Sequence, residues 1–219
     1  METLLNDVEV RVLGALIEKE LATPDYYPLT MNSLVAACNQ KSNRDPVVAF
    51  DTSAVARAID GLRDKNMAFE VIKVDSRVPK YEHNLRKALL LSEQELAVVC
   101  VLFLRGPQTL GEIKARTGRL YPFDTLTEVQ VTLETLESYD SPLTMCLPIQ
   151  PGRKEPRYAH LLTGIPENQE IDVRTVSLSP TLEPDLQHRI VSLEEQVADL
   201  EAELAMLKDA FETFRNEFT

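Results

Sequence analysis

The chain contains no tryptophan, only 7 glycines and only 3 cysteines in 219 residues. So little glycine argues against a nucleotide-binding architecture built on glycine-rich loops. Cys38, Cys100 and Cys146 are odd in number, far apart and set among apolar neighbours. They read as free thiols rather than a disulfide framework, which points to a reducing compartment, the cytoplasm. No apolar run approaches the ~20 residues that span a bilayer, so no membrane association is expected. The opening Met1-Glu2-Thr3-Leu4-Leu5-Asn6 lacks the basic start and apolar centre of a secretory leader. Walker, Gly-x-Gly-x-x-Gly, His-Glu-x-x-His and Gly-x-Ser-x-Gly patterns are all missing, so no enzymatic activity, cofactor or resident metal is expected.

What is present is an ordinary globular composition, 44% hydrophobic and 26% charged, with a net charge of −12. The acidity is unevenly placed. Residues 1–85 carry a net −3, residues 86–180 a net −2 and residues 181–219 a net −7. The overall sign opposes non-specific nucleic-acid binding but leaves room for a local basic face.

The acidic C-terminal segment carries a heptad. Ile190, Val197, Leu204, Phe211 and Phe218 occupy a positions, and Leu186, Leu193, Leu200, Leu207 and Phe214 occupy d positions. β-Branched residues at the first two a positions with leucine at d favour a parallel two-stranded coiled coil, hence a homodimer. In that pair Arg189 at g meets Glu194 at e of the second chain, and Glu203 meets Lys208. The competing arrangement is a helix folded back on its own body, although a packed surface helix usually needs a wider apolar stripe.

The remainder is an internal repeat. Pro79-Lys80-Tyr81-Glu82-His83-Asn84-Leu85 returns as Pro156-Arg157-Tyr158-Ala159-His160-Leu161-Leu162, and Phe50-Asp51-Thr52 returns as Phe123-Asp124-Thr125. Helical apolar sets follow the latter pair: Val55, Ile59 and Leu62, then Val129, Leu133 and Leu136. Leu5-Asn6-Asp7-Val8-Glu9 matches Leu91-Ser92-Glu93-Gln94-Glu95, each opening a helix with a capping residue and early acids. Each copy therefore predicts three helices and a hairpin. In copy one these are Asn6 to Glu20 (Val8, Val12, Leu13, Leu16 and Ile17 on one face), Thr30 to about Cys38, Asp51 to Lys65, then strands Ala68 to Val74 and Lys80 to Leu85. Copy two predicts helices over Glu93 to Leu104, Thr109 to Thr117 and Leu126 to Tyr139, and strands over Leu143 to Ile149 and Arg157 to Leu162.

Three helices followed by a hairpin is the winged-helix order. The expected fold is α+β, mostly α with small β-hairpins: tandem winged-helix domains over residues 1–87 and 88–163, a Pro-rich linker over 164–184 and a coiled-coil helix over 185–219. The stretches Leu21-Ala22-Thr23-Pro24-Asp25-Tyr26-Tyr27-Pro28-Leu29-Thr30 and Ala37-Cys38-Asn39-Gln40-Lys41-Ser42-Asn43-Arg44-Asp45-Pro46 resemble the bacterial YceH family, as does Glu155-Pro156-Arg157-Tyr158-Ala159-His160-Leu161. The resemblance covers most of residues 1–163. It implies paired winged-helix domains in a bacterial cytoplasmic protein, and it implies no activity and no catalytic or ligand residue.

Copy one offers the best candidate surface. Asn39, Lys41, Ser42, Asn43 and Arg44 precede its third helix, Ser53 and Arg57 lie on that helix's first turns, and Arg77 lies on the wing. Short polar donors and an arginine at such places are the groups that reach phosphates and base edges. Against this, Asp45, Asp51, Asp60 and Asp64 would leave a merely solvated face. The third helix of copy two contains no lysine or arginine and three glutamates, which suits a protein partner better than phosphates. His83 and His160 lack neighbouring ligands at metal spacing and read as packed groups. Two functions follow: a dimeric, DNA-associated regulatory protein, or a protein–protein scaffold similar in architecture to the tandem winged-helix subunit of bacterial condensin complexes.

Overall fold

A computed structural model of the chain describes residues 4–71, 78–149 and 152–164. Arg77, the Pro-rich segment from 165 onward and every heptad position from Leu186 to Phe218 lie outside the described residues. The fold is mixed α+β with small antiparallel sheets. The first repeat runs α1 (Asp7–Ala22), β1 (Leu29–Thr30), α2 (Met31–Cys38), α3 (Thr52–Asp64), β2 (Ala68–Val71) and β3 (Lys80–His83), with a single helical turn, α4 (Leu85–Ala88), after it. The second runs α5 (Glu93–Arg105), α6 (Leu110–Thr117), α7 (Leu126–Glu137), β4 (Thr144–Leu147) and β5 (Arg157–His160).

The helix starts are written in the sequence. Asn6 accepts from the Val8 and Glu9 amides while the Glu9 carboxylate accepts from the Asn6 amide at 2.8 Å. Ser92 and Glu95 repeat this reciprocal arrangement at the head of α5, and Thr109 and Glu112 repeat it at α6. Each box satisfies amides that the first helical turn leaves without partners. Asp51 caps α3, but Thr125 rather than Asp124 caps α7, so the matched Phe-Asp-Thr triplets enter their helices one residue out of step. On α3 Val55, Ala58, Ile59 and Leu62 are buried, and on α7 Val129, Thr132, Leu133 and Leu136, the same spacing in both.

The hairpins pair antiparallel. Ala68 faces His83 and Glu70 faces Tyr81 in the first; Thr144 faces His160 and Cys146 faces Tyr158 in the second. Two pairings escape the sequence. Leu29 pairs with Tyr81 to add β1 to the first sheet, in the order β1-β3-β2, and a single bridge between Gln108 and Tyr158 takes the same place in the second. One or two residues cannot show an alternation. The repeated strand motif is also not packed alike. Tyr81 and His83 are buried in β3, whereas in β5 Ala159 is buried and Tyr158 and His160 are half-buried.

The two repeats, expected to divide near residue 87, meet in one continuous apolar core within a compact unit. Its axis is α1 against α5, the most extensive contact between elements. The periodicity suggests one apolar face on α1, but every residue from Glu9 to Glu18 is buried, as is every residue from Glu95 to Leu104 on α5. A helix covered all round is what a central position produces. Gly14 makes the approach close: a Cβ there would stand 2.9 Å from Leu104 Cδ2 and 3.0 Å from Phe103 Cβ. The seam is fastened by backbone as well, the Leu5 amide donating to the Leu162 carbonyl at 2.7 Å and the Asp45 amide to the Leu104 carbonyl at 2.9 Å.

Candidate functional site

The loop between α2 and α3 was the sequence's strongest candidate surface, and half of it turns inward. Arg44 is buried. Its Nη1 and Nη2 lie 3.2 and 2.7 Å from the two carboxylate oxygens of Glu18, and Nε and Nη2 both donate to the Ala37 carbonyl. Burial would raise the Glu18 carboxyl, but the hydrogen bonds and charge of Arg44 hold it below the usual range. Arg44 therefore has nothing left to offer a phosphate, and we remove it from the nucleic-acid surface. Arg11, also buried, donates to the Pro46 carbonyl at 2.7 Å and the Cys38 carbonyl at 3.3 Å. Two interior arginines thus pin the loop. Asn39 clasps its far end, donating to the Phe50 carbonyl and accepting from the Phe50 amide, each at 2.8 Å. The half-buried Asn43 side chain accepts from Arg105 Nη2 at 2.7 Å.

Lys41, Ser42, Ser53 and Arg57 are exposed. Arg57 Nη1 donates to Ser53 Oγ at 3.3 Å, and Ser53 donates to the capping Asp51. The later cations of this face are engaged: Arg63 lies 3.6 Å from Asp60 and 3.2 Å from Glu70, and Lys65 lies 2.6 Å from Glu9. Among the described residues of this face Lys41 and Arg57 have no carboxylate within 4.0 Å, and Asp45, Asp51 and Asp64 are exposed on the same loop and helix.

On α7 the exposed side carries Leu126 and Val131, half exposed, together with Thr127, Gln130 and Glu134. It presents no cation. On the adjoining hairpin Arg153 and Lys154 are exposed, but Arg157 turns inward, pairing with Glu112 at 3.0 Å and donating to the Pro107 carbonyl at 2.7 Å.

His83 Nε2 meets the Glu20 carboxylate, and its backbone amide donates to the Tyr27 hydroxyl at 2.7 Å. The hydrogen bond from His83 holds the Glu20 carboxyl below its ordinary value against a smaller opposing effect of burial. His160 packs edge-on against Phe103 with ring centres 5.0 Å apart. Among the described residues no cluster of three or more His, Cys, Asp or Glu side chains is placed to hold a metal ion. Cys38 and Cys100 are buried and Cys146 is exposed, all as free thiols. No described helix is long and apolar enough to cross a membrane.

A third place was not singled out from the sequence. The C-terminal ends of α1, α5 and α6 meet at a cleft of about 200 Å³ whose lining includes Arg105, Arg116 and Arg119. Arg116 and Arg119 stand three residues apart around the end of α6, and Arg105 joins them from the end of α5.

The described residues form a two-repeat arrangement of helices and hairpins. The chain belongs to the family described as Protein of unknown function, DUF480, whose model matches residues 5–153. It is 52% identical over 219 residues to a UPF0502 protein of Geobacter sulfurreducens, covering all of both chains. It is 49% identical over 223 residues to a UPF0502 protein of Pelobacter propionicus and 45% identical over 218 to one of Solibacter usitatus, again across the full length of each.

Proposed function

We propose that the chain is a dimeric protein-interaction adapter built from two winged-helix repeats, with α7 as its docking helix and no catalytic role. The observation that carries this is the exposed side of α7. In the winged-helix order the third helix is the recognition element. Here it shows Leu126 and Val131 to solvent, has Glu128, Glu134 and Glu137 along its length, and has no lysine or arginine. Such a helix repels phosphates and suits an apolar protein surface. The net charge of −12 points the same way. A parallel coiled coil through Leu186 to Phe218 would supply two such helices per particle, and paired engagement raises avidity without any new contact.

A second reading, DNA contact through the first repeat, is favoured by one observation. Ser53 and Arg57 are exposed on the first turns of α3, with Lys41 and Ser42 exposed just before it. Arg77 would join them from the wing. We rank it second because Arg44 is spent in the core and the remaining cations face several aspartates. Affinity capture from a bacterial lysate, with and without nuclease, separates the two. The adapter reading expects a partner that survives nuclease and is lost when Val131→Glu is introduced; capture abolished by nuclease would transfer the role to DNA.

A further inference from the structure

We propose that the cleft at the joined ends of α1, α5 and α6 is a binding site for a phosphate-bearing ligand, gripped by Arg105, Arg116 and Arg119. This site is separate from the α7 face and does not depend on the adapter reading.

The first reason is unbalanced charge. Among the described residues no carboxylate lies within 4.0 Å of Arg105 or Arg119. Arg116 reaches Glu112 at only 3.5 Å, and that carboxylate is nearer to Arg157, at 3.0 Å. Glu18 is the one acid lining the cleft, and both its oxygens are taken by Arg44. In a chain with a net charge of −12 this is a local reversal of sign.

The three helix ends offer a plainer explanation, since arginines near helix C-termini offset the negative pole of the macrodipole. That pole amounts to roughly half an elementary charge per helix, so three ends account for about −1.5 against three guanidinium groups. A positive surplus remains. Burial chiefly, then the neighbouring Arg116, pushes the Arg105 guanidinium below its ordinary value, with Asp45 and Glu18 acting the other way. Among the described residues the one side-chain partner of Arg105 is the neutral amide oxygen of Asn43. An anion between these groups would relieve the repulsion.

The second reason is shape and chemistry. Guanidinium groups recognise phosphate through paired, charge-assisted hydrogen bonds in a fixed planar fork, and also stack on flat rings. Behind them Val101, Leu104 and Leu120 give the cleft an apolar wall. A volume of about 200 Å³ accepts a phosphate and part of the group it is attached to, rather than a dinucleotide. A terminal phosphate on a small molecule and a phosphodiester of nucleic acid share this chemistry.

Isothermal titration of the full chain tests the site with three probes: inorganic pyrophosphate, adenosine monophosphate and a 16-base-pair duplex. The variant is Arg116→Gln with Arg119→Gln, which leaves the Arg105–Asn43 contact and the buried Arg44 in place; a melting curve confirms its fold. The expected result is binding of the small probes that weakens at least tenfold in the variant, with Arg119→Lys only partly restoring it. Binding of the duplex alone, weakened in the variant, would support the site and assign its phosphate to nucleic acid. No binding by any probe, or equal binding by the variant, would overturn the proposal.

Discussion

Arg44 and Glu18 face each other inside the protein, Nη1 3.2 Å from Oε1 and Nη2 2.7 Å from Oε2, joining the loop before α3 to the end of α1. The pair lets a polar loop lie against the core. It also gives Arg44→Ala a structural outcome in place of a nucleic-acid one. Leaving Glu18 buried without its partner should cost about 3–5 kcal/mol. Urea unfolding should show a lowered midpoint, and Arg44→Lys should recover little because a single ammonium cannot make the two-pronged contact.

Gly14 predicts that the repeats stand or fall together. Gly14→Val would push side-chain atoms into Phe103 Cβ, which is fixed to its backbone, and should destabilise by about 1–3 kcal/mol. Because that contact joins α1 to α5, hydrogen exchange should speed up in both repeats, and thermal unfolding should remain a single transition. Loss of protection in the first repeat alone would contradict a shared core.

His160 predicts an acid sensitivity that begins above the carboxylate range. Burial pushes its imidazole from 6.5 down to about 4. A folded value below the unfolded one means that the unfolded chain binds more protons between the two. Stability is therefore complete above about pH 6.5 and declines as the pH falls toward 4, by at most about 3 kcal/mol. His160→Phe should flatten the curve of stability against pH over that interval, measured by denaturant midpoints.

The heptad predicts oligomeric state. Light scattering should give a dimer mass for the full chain, and Leu200→Asp with Leu207→Asp should halve it, since carboxylates would enter an apolar seam. An unchanged mass would remove the avidity from the adapter reading.

Much of the fold was legible. The Asn6/Glu9 and Ser92/Glu95 boxes, the apolar sets of α3 and α7 and both hairpins follow from local chemistry, and local chemistry is what a sequence displays. The site was legible only in outline. Asn39 to Arg44 reads as a wet loop because six polar residues stand in a row, and what turns Arg44 inward is Glu18, 26 positions earlier on another helix. One signal was available: apolar residues run almost without break from Val10 to Ile17 around α1, too many for a helix with a solvent face. The arginine cleft was legible only in part: Arg116 and Arg119 are close in sequence, but nothing local shows that Arg105, at the end of α5, joins them.

Hydrogen–deuterium exchange of the chain in complex with its captured partner tests the account most directly. The adapter reading predicts new protection over α7, residues 126–137, and none over α3, residues 52–64. Protection over α3 and the loop at 39–50, with α7 unchanged, would contradict it.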